Sequence, residues 1–209
     1  MKLSSQSIRD NQPIPGEFAF CIPNDKTRVC LGKNLSPQLS WSDVPAGTKS
    51  FAITCIDPDV PSVGDNVNVD GRVVPVDLPR VDFFHWTLID LPAGTTSIEA
   101  GLFSSEVTPC GKAGPGAPLG SRQGINDYTA WFAGDPDMRG DYFGYDGPCP
   151  PWNDLRVHRY IYTVYALDVA TLDLAGKFTG AEALSAMQGH ILDQASITGT
   201  YTLNTALLG

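Results

Sequence analysis

The chain has 209 residues, 42% of them hydrophobic and 18% charged, and its formal net charge at pH 7 is −9. This composition excludes a disordered chain. The acidic balance, with no basic run to offset it, disfavours nucleic acid and anionic membranes, because both recruit Lys and Arg. The length predicts a single domain over residues 1–209, and no segment has the apolar length of a signal peptide or a membrane span.

The chain has five cysteines, an odd number, and they lack the Cys-x-x-Cys spacing that is typical of zinc sites. We therefore expect reduced thiols and a cytoplasmic location. A Cys21–Cys30 bridge is the alternative that the sequence leaves open. We expect no metal, no cofactor and no stable membrane anchoring.

Strand-like runs dominate the chain. Residues 50–56 (SFAITCI) and 81–91 (VDFFHWTLIDL) are rich in apolar, aromatic and β-branched side chains, and each run stops near a proline, which predicts two strands. Residues 159–169 (RYIYTVYALDV) are largely apolar on both faces, which predicts a central strand covered on both sides. Residues 196–203 alternate between apolar side chains and threonine, as a half-exposed strand does.

One helix is predicted near the C-terminus. Thr179 and Glu182 have the spacing of a capping box, in which each side chain satisfies a free amide at the helix start. The apolar residues that follow have helical spacing, so we expect the helix over about 180–194. Strands first and a helix near the end predict a mainly β (all-β or α+β) architecture rather than alternating β and α units.

Two long loops are expected, at about 60–80 and 104–157. The second is rich in glycine and proline and has no sustained periodicity. A loop of this length inside a compact domain is commonly functional, so we look for a site there.

The three histidines differ in their surroundings. His190 lies near the end of the predicted helix, where a structural role is favoured. His85 interrupts an apolar run, and on its own it is best interpreted as a core histidine with internal partners. His158 begins a strand directly after the glycine- and proline-rich loop, where binding and structural roles are equally open.

Asp57 follows the strand at 50–56 and could orient a histidine by accepting its ring N–H, while Asp59 suits an Asx-turn. Residues 144–151 (GYDGPCPP) form a stiff turn system. Such a loop is either a rigid surface loop or a preformed anion site built from backbone amides.

The order of the motifs resembles the phosphatidylethanolamine-binding protein family. The motifs that carry the resemblance are SPQLSW at 36–41, PAGTKS at 45–50, DPDVP at 57–61, HW at 85–86, GPCPP at 147–151 and HRY at 158–160. In addition, GHIL at 189–192 and GTY at 199–201 resemble the C-terminal end of the bacterial, Raf-kinase-inhibitor-like branch.

The resemblance implies two main antiparallel sheets with a few peripheral helices. It also implies a small cavity that accepts phosphate, acetate or a phosphoethanolamine-like head group. The cavity residues implied by the matching positions are Asp57, His85, Trp86 (as a wall), Gly147, Pro148, Pro150, His158 and Tyr160. Cys149 occupies the variable position of its motif and is interpreted as structural.

Anion binding by these residues has a physical rationale. Two imidazoles could each present an N–H to one anion, and charge-assisted hydrogen bonds are about twice as strong as neutral ones. Asp57 would stabilise a cationic histidine or bind the anion in protonated form. Affinity is then expected to rise as the pH falls through the histidine range.

Two segments, 62–79 and 128–142, are longer than in many members of the family and flank the implied cavity. They could form a lid or a dimer surface. Their acidic residues disfavour a polyanionic ligand and favour a small soluble anion or a modified protein group. These residues are Asp65, Asp70, Asp135, Asp137 and Asp141.

Three functions stay open at this point. The first, and the favoured one, is a non-enzymatic binding module with a regulatory or inhibitory role, including inhibition of a kinase or protease through the surface loops. The second is a hydrolase in which His158 or His85, oriented by Asp57, activates water, but the sequence has no Gly-x-Ser-x-Gly or metal motif. The third is a metal site formed by the same three residues. A protein partner and a homodimer are both compatible with the sequence.

Overall fold

Four long strands with apolar faces form the framework of the structure, a computed structural model in which residues 1–208 are described. The strands are β1 (Lys2–Ser4), β2 (Gln12–Pro13), β3 (Cys21–Asn24), β4 (Arg28–Leu31), β5 (Leu39–Ser42), β6 (Ser50–Pro61), β7 (Arg80–Pro92), β8 (Ser97–Ile98), β9 (Arg122–Gln123), β10 (His158–Leu167) and β11 (Ile191–Tyr201). The α-helices are α1 (Tyr128–Trp131) and α2 (Gly180–Met187), and short 3-10 helices lie at Gly16–Phe18, Pro118–Gly120 and Thr205–Leu207.

The main sheet has six strands in the order β2-β11-β10-β6-β7-β9. A three-stranded sheet has the order β1-β5-β8, and β3 and β4 form a separate hairpin. Every pair is antiparallel except β11 with β2. The mainly β fold with few helices is therefore confirmed, and the hairpin and the parallel β2 are additions to the expected pair of antiparallel sheets.

Strand β10 lies between β11 and β6, so the prediction of a central strand is confirmed. The strand predicted at 50–56 does not stop at Asp57, however. Strand β6 continues to Pro61, and its pairing with β7 shifts register between Asp57 and Val60. Proline has no N–H to donate to the ladder, and a bulge of this kind lets the strand accommodate Pro58 and then resume pairing.

The capping box of the C-terminal helix is confirmed, because Thr179 and Glu182 bond reciprocally to each other's backbone amides. The predicted end of the helix at 194 is wrong. Helix α2 ends at Met187, and Gly189 has a φ of 82°, a left-handed conformation that favours glycine. The chain then turns back into β11, whose residues pair with β10.

A disulfide joins Cys21 of β3 to Cys149 in the loop before β10. The expectation of reduced thiols is therefore wrong for these two residues, and the bridge that the sequence left open, Cys21–Cys30, is not the one formed. Cys30, Cys55 and Cys110 are free. Since disulfides are characteristic of oxidising compartments, the cysteines no longer favour a cytoplasmic location.

The disulfide closes a long loop, because its cysteines are 128 residues apart in the chain. Replacing both Cys21 and Cys149 by alanine should lower the free energy of unfolding by about 2–5 kcal/mol, since the unfolded chain regains conformational freedom. Urea unfolding with and without a thiol reductant measures this effect. The reductant should destabilise the wild type and leave the double variant unchanged. Equal sensitivity of the two proteins would contradict the assignment of the bridge.

Candidate functional site

A cavity of about 310 Å³ opens at one end of the main sheet. Its polar floor comes from three adjacent strands: Asp57 on β6, His85 on β7, and His158 with Tyr160 on β10. The walls are formed mostly by apolar side chains of the β3–β4 hairpin, of the segments 62–79 and 128–142, and of the loop before β10.

The register of the sheet brings the floor residues together. Ile161 of β10 pairs with Ile56 of β6, so Tyr160 and Asp57 lie just beyond this pair on adjacent strands. On the other side of β6, Cys55 pairs with Trp86 and Ile56 pairs with Phe84. This shift leaves the intervening His85 as the extra residue of a bulge, a feature that commonly redirects a side chain next to a functional site.

His158 is held at both ring nitrogens. Its Nδ1 lies 2.7 Å from Oδ2 of Asp57, and its Nε2 lies 3.1 Å from Oδ2 of Asp154. Burial opposes protonation of this ring, but the hydrogen bonds to Asp154 and Asp57 outweigh that effect and raise the pKa of His158 to about 9. His158 is therefore an imidazolium at neutral pH. Both of its N–H groups are occupied, so the expectation that His158 offers an N–H to an anion is wrong.

The charge of Asp154 is matched from the other side by Arg80, whose guanidinium donates to both carboxylate oxygens at 2.6 and 3.0 Å. The side chains of Arg80 and Asp154 are 6% and 1% exposed, so the pair is buried together with His158. The four groups carry two positive and two negative charges. The charged network beneath the cavity is therefore neutral overall.

His85 has a different environment. Its Nδ1 lies 2.7 Å from the backbone carbonyl oxygen of Asp146. A carbonyl can only accept, so Nδ1 carries the proton and donates. Burial lowers the pKa of His85, and the negative charge of Asp57 offsets this only in part. His85 is thus neutral at neutral pH, and its Nε2 has no hydrogen-bond partner within residues 1–208.

The position of Asp146 is fixed by a buried polar network. Its carboxylate accepts hydrogen bonds from the side-chain amides of Asn34 and Asn126, each at 2.7 Å, and lies 3.0 Å from Nζ of Lys112. These contacts hold the carbonyl group that orients His85. Asp146 is therefore a positioning residue that the sequence did not reveal as such.

The hydroxyl of Tyr160 is buried, and no group in the described part of the chain meets the geometry of a full hydrogen bond to it. Burial, together with the charge of the Asp57 carboxylate and a weak hydrogen-bonding contact with it, raises the pKa of Tyr160 well above its usual value. The group therefore stays protonated and is a hydrogen-bond donor. Buried polar groups are rarely left unpaired. Because Tyr160 also lines the cavity, its hydroxyl is a candidate donor to a ligand atom.

Five of the eight predicted site residues line the cavity: Asp57, His85, Pro150, His158 and Tyr160. The other three do not. Trp86 is buried in the core on the same face of the sheet, where it packs against Tyr145 and its indole N–H donates to Gln123 at 3.0 Å.

Gly147 and Pro148 use their backbone groups within the protein. The Gly147 N–H donates to Asn34 at 2.8 Å, and a Cβ at position 147 would collide with the carbonyl oxygen of Phe18. The carbonyl oxygen of Pro148 accepts from the Cys21 N–H at 3.1 Å. This part of the loop therefore supports the site without lining it, and its amides do not form an anion site.

Sequence reasoning missed Asp154 and the aromatic wall. Asp154 precedes His158 by four residues in an irregular loop, so no periodicity places the two side chains together. The wall includes Tyr128, Trp131 and Phe132. An aromatic cluster within an otherwise polar loop was the available signal, because such side chains need a surface to cover.

The alternative chemistries can be compared with this geometry. Asp57 and His158 form the base-and-orienter pair that hydrolysis would need, but the ring of His158 has no free lone pair with which to activate water. Within residues 1–208, no group of three or more His, Cys, Asp or Glu side chains is arranged to hold a metal ion.

None of the helices described is long and apolar enough to cross a membrane.

The fold and the cavity place the chain among β proteins that have a small ligand-sized cavity at a sheet end. The family model described as phosphatidylethanolamine-binding protein matches residues 4–202. The chain therefore belongs to the phosphatidylethanolamine-binding protein family.

The chain is similar to several members of this family over nearly its whole length. It is 33% identical to the UPF0098 protein YbhB of Escherichia coli, over 97% of this chain and 100% of YbhB. It is also 33% identical to a UPF0098 protein of Methanothermobacter thermautotrophicus, over 96% and 98% of the two chains. Among solved structures, E. coli YbcL, described as a member of the mammalian PEBP family, aligns with a TM-score of 0.68 and 27% identity, covering 96% of this chain and 97% of that one.

The raised pKa of His158 should make the stability of the fold depend on pH. The imidazole of His158 has a pKa of about 6.5 in the unfolded chain. The stabilisation that its protonation gives the fold is therefore fully present below that pH and is lost as the pH rises through about 9. The free energy of unfolding of the wild type should fall by roughly 3 kcal/mol over this window. Urea unfolding at several pH values measures the change, with His158→Gln as the comparison. The same pH dependence in both proteins would contradict the assignment.

Proposed function

We propose that the protein binds a small anion, either phosphate or the phosphate of a phosphorylated group, at the floor of the cavity. The observation that carries the proposal is the buried, unpaired hydroxyl of Tyr160. It is a protonated donor on a residue that lines a cavity of ligand size, and an oxyanion oxygen is a strong acceptor for such a group.

His85 supplies the second contact of the proposed site. When neutral, its Nε2 is an acceptor and suits the P–OH of a monoprotonated phosphate. When protonated, the same nitrogen donates to a fully ionised oxyanion. In either case one proton lies between His85 and the ligand. The recognition is thus linked to protonation of His85, whereas the sequence analysis assigned it to both histidines.

The neutral charge network supports this interpretation. The charge of Asp57 is balanced by the His158 imidazolium, and its Oδ1 accepts the Asp59 N–H at 2.8 Å. The repulsion that an isolated aspartate would exert on an anion is therefore reduced. Both nitrogens of His158 are occupied, so His158 cannot act as the base of a hydrolase, and the free Nε2 of His85 stays the candidate base of that alternative. A regulatory or inhibitory role toward a partner protein, and a cytoplasmic location, stay predictions.

Removal of the Tyr160 hydroxyl tests the proposed donor. Tyr160→Phe should weaken phosphate binding at least tenfold, because a hydrogen bond to a charged acceptor contributes about 1.5–3 kcal/mol. The free energy of unfolding should not fall, since this hydroxyl is unpaired in the free protein. Calorimetric titration and urea unfolding measure the two effects.

Tyr165→Phe is the matched control, because Tyr165 lies on the same strand but does not line the cavity. It should leave phosphate affinity unchanged. Phosphate affinity that is the same in Tyr160→Phe as in wild type would rule out the proposed donor.

The role of His85 is tested with sulfate, whose charge does not change across the histidine range. Because the pKa of His85 is lowered in the free protein and a bound anion favours the imidazolium, sulfate affinity should rise as the pH falls from about 8 to about 5. Calorimetry at several pH values measures the affinity. In His85→Gln the response should be flat, because the amide does not titrate. An equally steep response in this variant would assign the proton to another group.

A further inference from the structure

The cavity is larger than the head group proposed to bind at its floor. Its volume of about 310 Å³ is that of about ten water molecules at roughly 30 Å³ each. Phosphate has only five heavy atoms, so it would leave about half of the space unfilled. The remaining space lies against walls that are mostly apolar, and a ligand that fills it must carry a substituent on its acid group.

The two long segments that flank the site form much of this wall. Segment 62–79 contributes Val67, and segment 128–142 contributes Tyr128, Trp131 and Phe132. The rings of Tyr128 and Phe132 are packed against each other and against Phe20. The ring centroids of Phe20 and Tyr128 are 4.7 Å apart, and those of Tyr128 and Phe132 are 5.4 Å apart, both in stacked geometry.

Both segments are anchored, so the wall is preformed. Asp127 and Phe84 exchange hydrogen bonds at 2.7 and 2.9 Å, which fix the start of α1 against β7. The hydroxyl of Tyr128 donates to the carbonyl oxygen of Gly147 at 2.9 Å. The side-chain amide of Asn153 bonds the segment 62–79 at several backbone groups. A cavity built this way does not need to be ordered by its ligand.

The charges on the lining determine what kind of substituent fits. Among the residues that line the cavity, the charged side chains are Asp57 and His158, and these are bonded to each other. A cationic substituent such as an ethanolammonium group would lose its hydration without gaining an unpaired carboxylate. An uncharged apolar substituent would lose nothing comparable. At the rim it would cover Leu31 and Trp131, which are 56% and 52% exposed.

We propose that the ligand is an acid ester whose anionic head lies at the Tyr160–His85 floor. Its substituent is uncharged and apolar, either aryl or compact alkyl, and packs against the wall formed by the two long segments. This inference rests on the proposed function for its anionic head. It specifies in addition the chemical class of the rest of the ligand.

Calorimetric titration with three probes tests the inference: inorganic phosphate, phenyl phosphate and O-phosphorylethanolamine. Phenyl phosphate should bind at least tenfold more tightly than either of the others. Tenfold corresponds to 1.4 kcal/mol, which burial of about 60 Å² of apolar surface supplies. O-Phosphorylethanolamine keeps the head and replaces the ring by a cation, so it should gain nothing over phosphate.

A matched pair of surface variants locates the contact. Trp131→Ala removes an exposed lining side chain of the segment 128–142, while Leu192→Ala removes an exposed apolar side chain outside the lining. Trp131→Ala should lower the ratio of phenyl phosphate to phosphate affinity several-fold, and Leu192→Ala should leave this ratio at the wild-type value. An unchanged ratio in Trp131→Ala would overturn the assignment of the substituent to this wall.

The failures of the two proposals are distinguishable. Equal affinity for all three probes, or phenyl phosphate weaker than phosphate, would overturn this inference and leave the anion site at Tyr160 standing. If none of the three probes binds to the wild type, the proposed function fails, and this inference fails with it.

Discussion

The buried imidazolium of His158 is the interaction on which the rest of the site depends. A cation removed from water is costly, and here the cost is offset by carboxylates on both ring nitrogens, Asp57 and Asp154. The second carboxylate is balanced in turn by Arg80. The network connects β6, β7, β10 and the loop before β10, so the same charges that fix the end of the sheet also build the floor of the cavity. Loss of one member would leave a buried charge unmatched.

The two histidines have different roles, because only His158 belongs to the neutral charged network. His158 is saturated by carboxylates and maintains the structure. His85 is oriented by a carbonyl group and keeps one nitrogen free, on a ring whose centroid lies 5.0 Å from that of Tyr160. The anion recognition that we propose therefore relies on two uncharged groups and one exchangeable proton rather than on a cluster of cations. Such a floor is compatible with an overall acidic protein, because it does not rely on the surrounding field to attract its ligand.

Much of the architecture could be predicted from local patterns. The apolar faces of β10 and the capping box of α2 each follow from short-range periodicity. The end of α2 could not, because residues 191–194 have a spacing that also suits a helix, and only pairing with β10 makes them a strand. The Cys21–Cys149 bridge connects residues far apart in sequence, and spacing alone does not select it among the possible pairs. The motif residues of the floor were identified through the family resemblance. Asp154 could be assigned to the site only from the structure of the loop before β10.

The most direct test of this account is nitrogen-detected NMR of the histidine rings near neutral pH, before and after saturation with phosphate. The account predicts that His158 is doubly protonated in both states, and that free His85 is neutral with its proton on Nδ1. Phosphate should change the signals of the Nε2 of His85 and leave those of His158 in place. A neutral His158, or a response to phosphate at His158 instead of His85, would contradict the assigned roles.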